Sequence, residues 1–229
     1  MSAYEPFAPV YDRWFPLTED IPFYVELARE TDGPLVELAV GTGRVAVPVA
    51  RETGRRVLGI DLSPAMLEQA RARVADAGAD VELRLGDMRE LELDEPAGLI
   101  YVPARSLLHL PTWGDRRRVF ERVYASLKPG GRFAWNAFVF DPRIAAANDG
   151  QWLDQNGIRH RIDQFKHDNR IDITLESGDT IPLWWLNRSE WDGLIETAGF
   201  EVEALYGGFE REPFDENATE FVWVVRRPE

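Results

Sequence analysis

The chain has 229 residues, 45% of them hydrophobic, which is enough for one domain with a substantial core. Its 26 basic and 40 acidic side chains give a formal net charge of −14, so a nucleic-acid backbone would repel it. The absence of cysteine excludes disulfides, thiolate nucleophiles and cysteine zinc sites.

Neither a metal site nor a membrane segment is expected. The chain has three histidines, and His160 and His167 lie seven positions apart in a strand-like region, which is a poor spacing for metal ligands. The amino terminus lacks the basic and apolar stretches of a secretory signal. No apolar run approaches the roughly 20 residues that cross a bilayer. We therefore expect a cytoplasmic protein with no nucleic-acid or membrane partner.

Alternating strand-like and helix-like segments predict an α/β fold whose mostly parallel sheet is covered by helices on both faces. Ser63 is a predicted N-cap, Pro64 suits the first helical position, and Gly78 is expected to end that helix. The predicted helices cover 20–30, 45–53, 64–77 and 115–127, and the predicted strands cover 35–40, 56–60, 81–85, 99–103 and 133–140.

The pattern changes over residues 142–186, where apolar and polar residues alternate, as in Ile171, Ile173 and Leu175. We interpret this segment as three antiparallel strands inserted into a single domain that spans 1–229. A helix is then predicted over 189–198 with Ser189 as N-cap, followed by strands over 200–205 and 219–225.

The most informative segment runs from Val36 to Gly43, where a buried strand enters a glycine turn that opens a helix. Asp61 ends the next strand and can accept hydrogen bonds from ribose hydroxyls. This pattern indicates a nucleoside cofactor and leaves two candidates. One is a dinucleotide, since Gly41-x-Gly43-x-x-Ala46 and the later Asp61 match the dinucleotide fingerprint. The other is S-adenosylmethionine (SAM).

Four segments in chain order resemble motifs of the class I (Rossmann-like) SAM-dependent methyltransferases. They cover most of residues 35–140, and the chain departs from them at Ala39, where many members have glycine. The segments are Glu37 with Gly41-Thr42-Gly43, Asp61 with Leu62-Ser63-Pro64 and Met66, Gly86-Asp87-Met88, and Leu127-Lys128-Pro129-Gly130-Gly131. The general layout is similar to small-molecule N-methyltransferases of that family.

The resemblance implies a seven-stranded sheet with its last strand antiparallel, SAM as cofactor, and a set of cofactor-binding residues. Gly41 and Gly43 would pass under the methionine part and Asp61 would bind the ribose. The other implied contacts are Leu62 or Met66 on the adenine, Asp87 with Gly86 and Met88 at the adenine amino group, Ala104 near the methionyl amine or substrate, Glu37 and Ala39 in the glycine loop, and Tyr11 in an N-terminal lid.

Methyl transfer from a sulfonium is an in-line displacement that depends mainly on alignment, so a catalytic base is optional. His109 is the best candidate base because it follows the fourth strand, although a half-buried structural histidine would have the same sequence context. His160 in the insertion is a weaker candidate.

Substrate recognition is expected from an N-terminal lid (1–19) and the inserted segment (142–186), both rich in aromatic residues. Trp152, His160 and Trp184 are candidate contacts in the insertion, although such rings could equally form its small core. Arg105 could bind a substrate carboxylate or phosphate, or it could pair with Glu37 or another acidic neighbour.

The sequence therefore predicts a SAM-dependent methyltransferase, monomeric or homodimeric, that transfers a methyl group to a small-molecule amine. O-methylation, an NAD(P)-dependent oxidoreductase and a non-catalytic SAM-binding protein are the alternatives. The oxidoreductase would need a hydride-transfer residue near the switch point of the sheet, and it would bind a dinucleotide.

Overall fold

Eleven strands form two sheets in the computed structural model, which describes residues 4–229. In chain order they are β1 (Leu35–Leu38), β2 (Val57–Asp61), β3 (Val81–Leu85), β4 (Ala97–Val102), β5 (Leu127–Phe138), β6 (Gln151–Gln155), β7 (Ile158–Phe165), β8 (Arg170–Leu175), β9 (Thr180–Trp184), β10 (Glu201–Tyr206) and β11 (Glu220–Arg226). The first sheet has the order β3-β2-β1-β4-β5-β11-β10.

The seven-stranded sheet confirms the predicted architecture. Strands β1 to β5 pair in parallel, whereas β11 is antiparallel to both of its neighbours, β5 and β10. The chain reverses its direction of travel across the sheet between β1 and β4. In open α/β sheets, ligands bind beyond the carboxyl ends of the strands at such a switch point.

Helices cover both faces of this sheet, and β4 shows why the sheet is buried on both sides. Ile100 and Val102 belong to one apolar core, whereas Leu99 and Tyr101 belong to the core on the other face. The helices are α1 (Tyr11–Trp14), α2 (Ile21–Arg29), α3 (Ala46–Thr53), α4 (Pro64–Ala77), α5 (Trp113–Ser126), α6 (Pro142–Asn148) and α7 (Arg188–Ala198). No helix in residues 4–229 has the length and apolarity required to span a membrane.

The helix ends follow local side-chain chemistry. The Ser63 hydroxyl accepts a hydrogen bond from the Met66 amide at 3.2 Å, and Gly78 ends α4 in the left-handed conformation, as predicted. The predicted N-cap of α7 is wrong. Asn187 is the cap and forms a reciprocal capping box with Glu190, while Ser189 only donates its hydroxyl to the Asn187 side chain.

The inserted segment forms a second, antiparallel sheet with the order β6-β7-β8-β9, preceded by α6. It therefore has four strands and a short helix where the sequence predicted three strands. The additional strand β6 is a largely exposed edge and lacks a regular apolar pattern. Asn156 and Gly157 join it to β7 with φ angles of 54° and 75°, so this Asn-Gly pair was the signal for the additional hairpin.

The N-terminal segment packs against the second sheet. Phe7 and Trp14 are fully buried and form a third apolar cluster with Ile158, Leu175 and Ile181. Residues 1–3 of the predicted lid lie outside the described residues. The described part of that segment therefore joins the insertion to form one layer over the carboxyl edge of the main sheet.

Gly98 tests the close packing at the opposite edge of the main sheet, where it is the second residue of β4 and contacts the segment before β1. A Cβ atom at Gly98 would lie 1.8 Å from the Asp32 carbonyl oxygen, so the backbone must move to accept alanine. We expect Gly98→Ala to lower the free energy of unfolding by about 3 kcal/mol. Urea unfolding followed by tryptophan fluorescence would measure the change.

Gly114→Ala is the matched control for that variant. Gly114 lies in the first turn of α5, where the nearest atom to a new Cβ would be 3.7 Å away. Because alanine favours helix by up to about 1 kcal/mol over glycine, this variant should be neutral or stabilised. Equal unfolding midpoints for the two variants would contradict the predicted clash at Gly98.

Candidate active site

The carboxyl ends of β1 to β4 surround a cavity of about 180 Å³ at the switch point. Tyr4 and Tyr11 from the N-terminal segment form part of its wall. The lining residues are Tyr4, Tyr11, Ala39, Gly41, Ile60, Asp61, Leu62, Met66, Gly86, Asp87, Met88, Arg89, Ser106, His109, Leu110 and Pro111.

The cavity brings together most of the residues predicted for the cofactor. The predicted residues in its lining are Tyr11, Ala39, Gly41, Asp61, Leu62, Met66, Gly86, Asp87, Met88 and His109. Those outside the lining are Glu37, Gly43, Ala104, Arg105, Trp152, His160 and Trp184. Sequence reasoning did not assign Arg89, Leu110 or Pro111, although each lies within two residues of an assigned position.

The glycine turn leaves open space at one position and packs tightly at another. Gly41 has a φ of 55°, and the nearest atom to a Cβ added there would be the Ala39 carbonyl oxygen at 3.9 Å. Gly43 has a φ of 76°, and an added Cβ would lie 3.5 Å from the Val47 side chain. Gly41 therefore offers a cofactor a close approach, whereas Gly43 lets the turn pack on α3.

Asp61 is 9% exposed and is fixed by backbone donors. Its Oδ2 accepts from the Gly41 amide at 2.7 Å, and its Oδ1 accepts from the Ser63 amide at 2.8 Å. Burial raises the pKa of Asp61, and the hydrogen bonds from Ser63, Gly41 and Leu62 oppose that effect. Each carboxylate oxygen keeps a lone pair, so the group can accept from two adjacent ribose hydroxyls.

Glu37 supplies a buried acceptor below the glycine turn. It is 1% exposed, and among the described residues its Oε2 has no hydrogen-bond partner. Burial raises the pKa of Glu37 well above its ordinary value. A buried carboxyl oxygen without a partner can accept a further hydrogen bond, although Glu37 itself does not line the cavity.

The buried Arg44–Asp20 pair supports the turn from behind. Arg44 Nη1 lies 2.5 Å from Asp20 Oδ1, and Nη2 lies 2.7 Å from Oδ2. Arg44 Nη1 also donates to the Leu17 carbonyl at 2.8 Å. Arg44, the residue after Gly43, is thus bonded to the segment that joins the N-terminal region to α2. These bonds fix the glycine turn relative to that segment.

Asp87 is held by the side chain two residues later. Its carboxylate accepts from the Arg89 amide and guanidinium, and Arg89 Nη1 also donates to Asp115 at 3.0 Å. The hydrogen bonds from the Arg89 side chain lower the pKa of Asp87. Asp87 is therefore an ionised, oriented acceptor at one end of the cavity.

His109 connects the N-terminal segment to the second sheet. Its Nδ1 lies 3.1 Å from the Pro182 carbonyl oxygen, and since only an N–H can donate to a carbonyl, Nε2 is the unprotonated nitrogen. That nitrogen accepts from the Tyr4 hydroxyl at 2.6 Å. Burial lowers the pKa of His109 to about 4, so the ring is neutral at pH 7.

None of the four predicted substrate residues lines this cavity, although Arg105 directly precedes the lining residue Ser106. His160 is 5% exposed and packs against Trp14, while Trp152 is 45% exposed below the Arg159 guanidinium. Trp184 ends β9. Arg105 forms an ion pair with Glu220, an acidic neighbour on β11 that sequence reasoning did not name.

Comparisons with known proteins agree with this site. A family model described as "Methyltransferase domain" matches residues 35–131. The chain is 34% identical over 90% of both chains to "Putative methyltransferase YqeM" of Bacillus subtilis. It is 27% identical to the 27-O-demethylrifamycin SV methyltransferase of Amycolatopsis mediterranei, over 78% of this chain and 72% of that protein.

Solved structures share the whole fold. The CcbJ methyltransferase from Streptomyces caelestis has a TM-score of 0.85 at 24% identity, covering 100% of this chain and 99% of that one. Complexes with SAM and with S-adenosylhomocysteine (SAH) are among the solved structures of this fold. The dinucleotide interpretation of the glycine turn is therefore wrong, and the chain belongs to the class I methyltransferase family as an enzyme that uses SAM.

Proposed function

We propose that this enzyme N-methylates a small-molecule amine. The chemistry of the cavity wall near β4 supports the proposal. There His109 is neutral with a pKa of about 4, and burial raises the pKa of Tyr4 well above its usual value. At pH 7 the His109 ring is therefore a weak base and the Tyr4 hydroxyl stays protonated, so the two groups suit an acceptor that can attack without first giving up a proton to the enzyme. A neutral amine meets that requirement, whereas a hydroxyl needs a base.

The proposed roles of the cofactor residues come from the family resemblance, and the lining of the cavity supports most of them. Bound SAM would supply an activated methyl group on a sulfonium. Asp61 would hold the ribose, Asp87 and the Met88 amide the adenine edge, and Glu37 the methionyl amine. Gly41 would let the chain approach without a Cβ, and Leu62 and Met66 would pack on the adenine. This chain then contributes chiefly by alignment and by excluding water.

His109 is proposed to act at the reactive end as a neutral hydrogen-bond acceptor. Its two ring nitrogens are both engaged, one by Pro182 and one by Tyr4. The residue therefore orients the Tyr4 hydroxyl and joins two elements that border the cavity. Residues 4–19 and the second sheet are proposed as the lid and cover of the acceptor site.

O-methylation is the second candidate, because a relative of the chain is named as a methyltransferase of 27-O-demethylrifamycin SV. Matched pairs of acceptors separate the two activities. Transfer of a radiolabelled methyl group from SAM would be measured with benzylamine against benzyl alcohol, and with aniline against phenol. Label in the amines alone would support N-methylation, and label in the hydroxyl compounds alone would contradict it.

The pH dependence of the rate provides a further test. An amine must lose its proton before it attacks, so below its own pKa the rate should rise about tenfold per pH unit. His109 stays neutral above its pKa of about 4, so no inflection is expected near the ordinary histidine value of about 6.5. We expect His109→Ala to lower kcat with SAH affinity unchanged and the profile unaltered. An inflection near 6.5 that the variant removes would instead identify His109 as the base.

A further inference from the structure

A second polar cluster lies on the other side of β4 from the cofactor residues. Most cavity-lining residues end or follow β1, β2 and β3, and a smaller group follows β4. We therefore call β1 to β3 the cofactor half of the sheet. An in-line displacement places the acceptor opposite the sulfur. With the cofactor over β1 to β3, we infer that the acceptor lies toward the half formed by β4, β5 and β11. Arg105, Asn136, Phe138 and Glu220 are grouped on that half.

The backbone at this cluster is in an unusual conformation. Ala104 and Arg105 follow β4 with φ angles of 56° and 62°, in the left-handed region that side chains other than glycine rarely adopt. The Arg105 amide donates to Asn136 Oδ1 at 3.4 Å. Ser106, the next residue, lines the cavity. Such strained conformations concentrate at functional sites, so this turn is a candidate for ligand recognition.

Glu220 holds the Arg105 guanidinium from one side. Its Oε1 accepts from Nε at 2.7 Å and also from Nη2, while its Oε2 accepts from Asn136 Nδ2 at 3.3 Å. Glu220 is 8% exposed and Asn136 is 3% exposed. The guanidinium also lies over the Phe138 ring at 5.6 Å. Two buried side chains and one ring thus fix the orientation of Arg105.

One edge of this guanidinium remains open. The Arg105 side chain is 45% exposed, and no described residue accepts a hydrogen bond from its Nη1. Arg89 at the cofactor end differs, because Asp87 engages its Nε and Nη2 and Asp115 engages its Nη1. A guanidinium held side-on through Nε and Nη2 can still bind an anion end-on through Nη1 and Nη2.

We propose that Arg105 recognises an anionic oxygen group, a carboxylate or a phosphate, on the methyl acceptor, and that Glu220 and Asn136 are its positioning residues. The inference rests on the proposed transfer to a small-molecule amine and defines the acceptor as an amine that also bears an anionic group. The fixed fork gives the anion a defined direction, which would orient the amine toward the methyl group.

Titration calorimetry on the SAH-saturated protein tests this inference with three probes. They are benzylamine, para-(aminomethyl)benzoate and para-(aminomethyl)phenyl phosphate, and the last two separate a carboxylate from a phosphate. We expect the wild type to bind at least one anionic probe about tenfold more tightly than benzylamine. Arg105→Gln should abolish that preference, and Arg105→Lys should retain only part of it because lysine lacks the fork.

Two further variants separate recognition from structure. Arg117→Gln removes the same charge from an exposed position on α5 and should keep the preference. Among residues 4–229, the Arg117 guanidinium forms an ion pair only with Glu121, at 3.6 Å. Glu220→Gln should reduce the preference while benzylamine affinity stays within about twofold of the wild type. If the Arg105–Glu220 pair only supported the fold, these variants would change the affinities for benzylamine and for both anionic probes together.

Two results would overturn the proposal: a wild type without the anion preference, including one that binds no anionic probe, or an Arg105→Gln variant that keeps it. The readout needs no methyl transfer. An enzyme that methylates only hydroxyl acceptors would contradict the amine proposal and would still show the preference for anionic probes, so the two failures are distinguishable.

Discussion

Asp61→Ala is expected to weaken SAH binding about 100-fold, since the Asp61 carboxylate is proposed to accept hydrogen bonds from two ribose hydroxyls. The same change leaves the buried Gly41 and Ser63 amides without the acceptors that they have at 2.7 and 2.8 Å. The glycine turn and the start of α4 would then lose their common anchor. Titration calorimetry with SAH would measure the affinity, and a thermal scan would show that the variant remains folded.

The control for charge is Asp94→Ala, because the Asp94 side chain is 94% exposed and pairs only with Arg84 at 3.5 Å. This variant should bind SAH like the wild type. Asp61→Asn tests the role of the negative charge, since one amide oxygen remains as an acceptor. Its SAH affinity should fall between that of Asp61→Ala and that of the wild type. Wild-type SAH affinity in the Asp61→Ala variant would contradict the proposal that Asp61 binds the cofactor.

Arg44→Met is expected to lower the free energy of unfolding by about 3–5 kcal/mol, because it leaves the buried Asp20 carboxylate without its partner. The two side chains are only 10% and 5% exposed, so water cannot replace the lost bonds. Urea unfolding monitored by tryptophan fluorescence would measure the change. The Asp20→Asn/Arg44→Met double variant should be more stable than Arg44→Met alone, since the unpaired charge is then absent.

The matched control is Arg29→Met, because Arg29 pairs with Glu52 at 3.2 Å while both side chains are about half exposed. Exposed pairs contribute about 0.5 kcal/mol or less, so this variant should unfold near the wild-type midpoint. If Arg44→Met and Arg29→Met shifted the midpoint equally, the Arg44–Asp20 pair would have no special role in stability.

Strand and helix periodicity predicted the main sheet because its central strands, such as β1 and β4, are buried on both faces. Leu99 to Val102 alternate between two cores, so every residue there is apolar, which the sequence shows directly. The inserted sheet was predicted less well, since β6 lies at an exposed edge and needs few apolar residues. Only the Asn156-Gly157 turn marked it.

Most of the residues that line the cavity could be predicted because they lie within local motifs at strand ends. Gly41, Asp61 and Asp87 each follow or end a strand, and parallel strands bring those ends to one edge. Contacts between distant parts of the chain could not be predicted. Arg105 and Glu220 are separated by 115 positions, and no spacing rule connects them. The Tyr4–His109 contact spans 105 positions and depends on how the N-terminal segment folds over the sheet.

The small cavity has a kinetic consequence. At about 180 Å³ it is below the roughly 300–1,000 Å³ of most ligand pockets, so we expect the cover, which includes Tyr4 and Tyr11, to move when a whole nucleoside cofactor binds. Phe7 and Trp14 bury their rings against the second sheet, and opening must separate part of that apolar contact. The rates at which SAH leaves and SAM enters should therefore depend on opening of the cover and lie below the diffusion limit. Product release is then a candidate for the step that limits turnover.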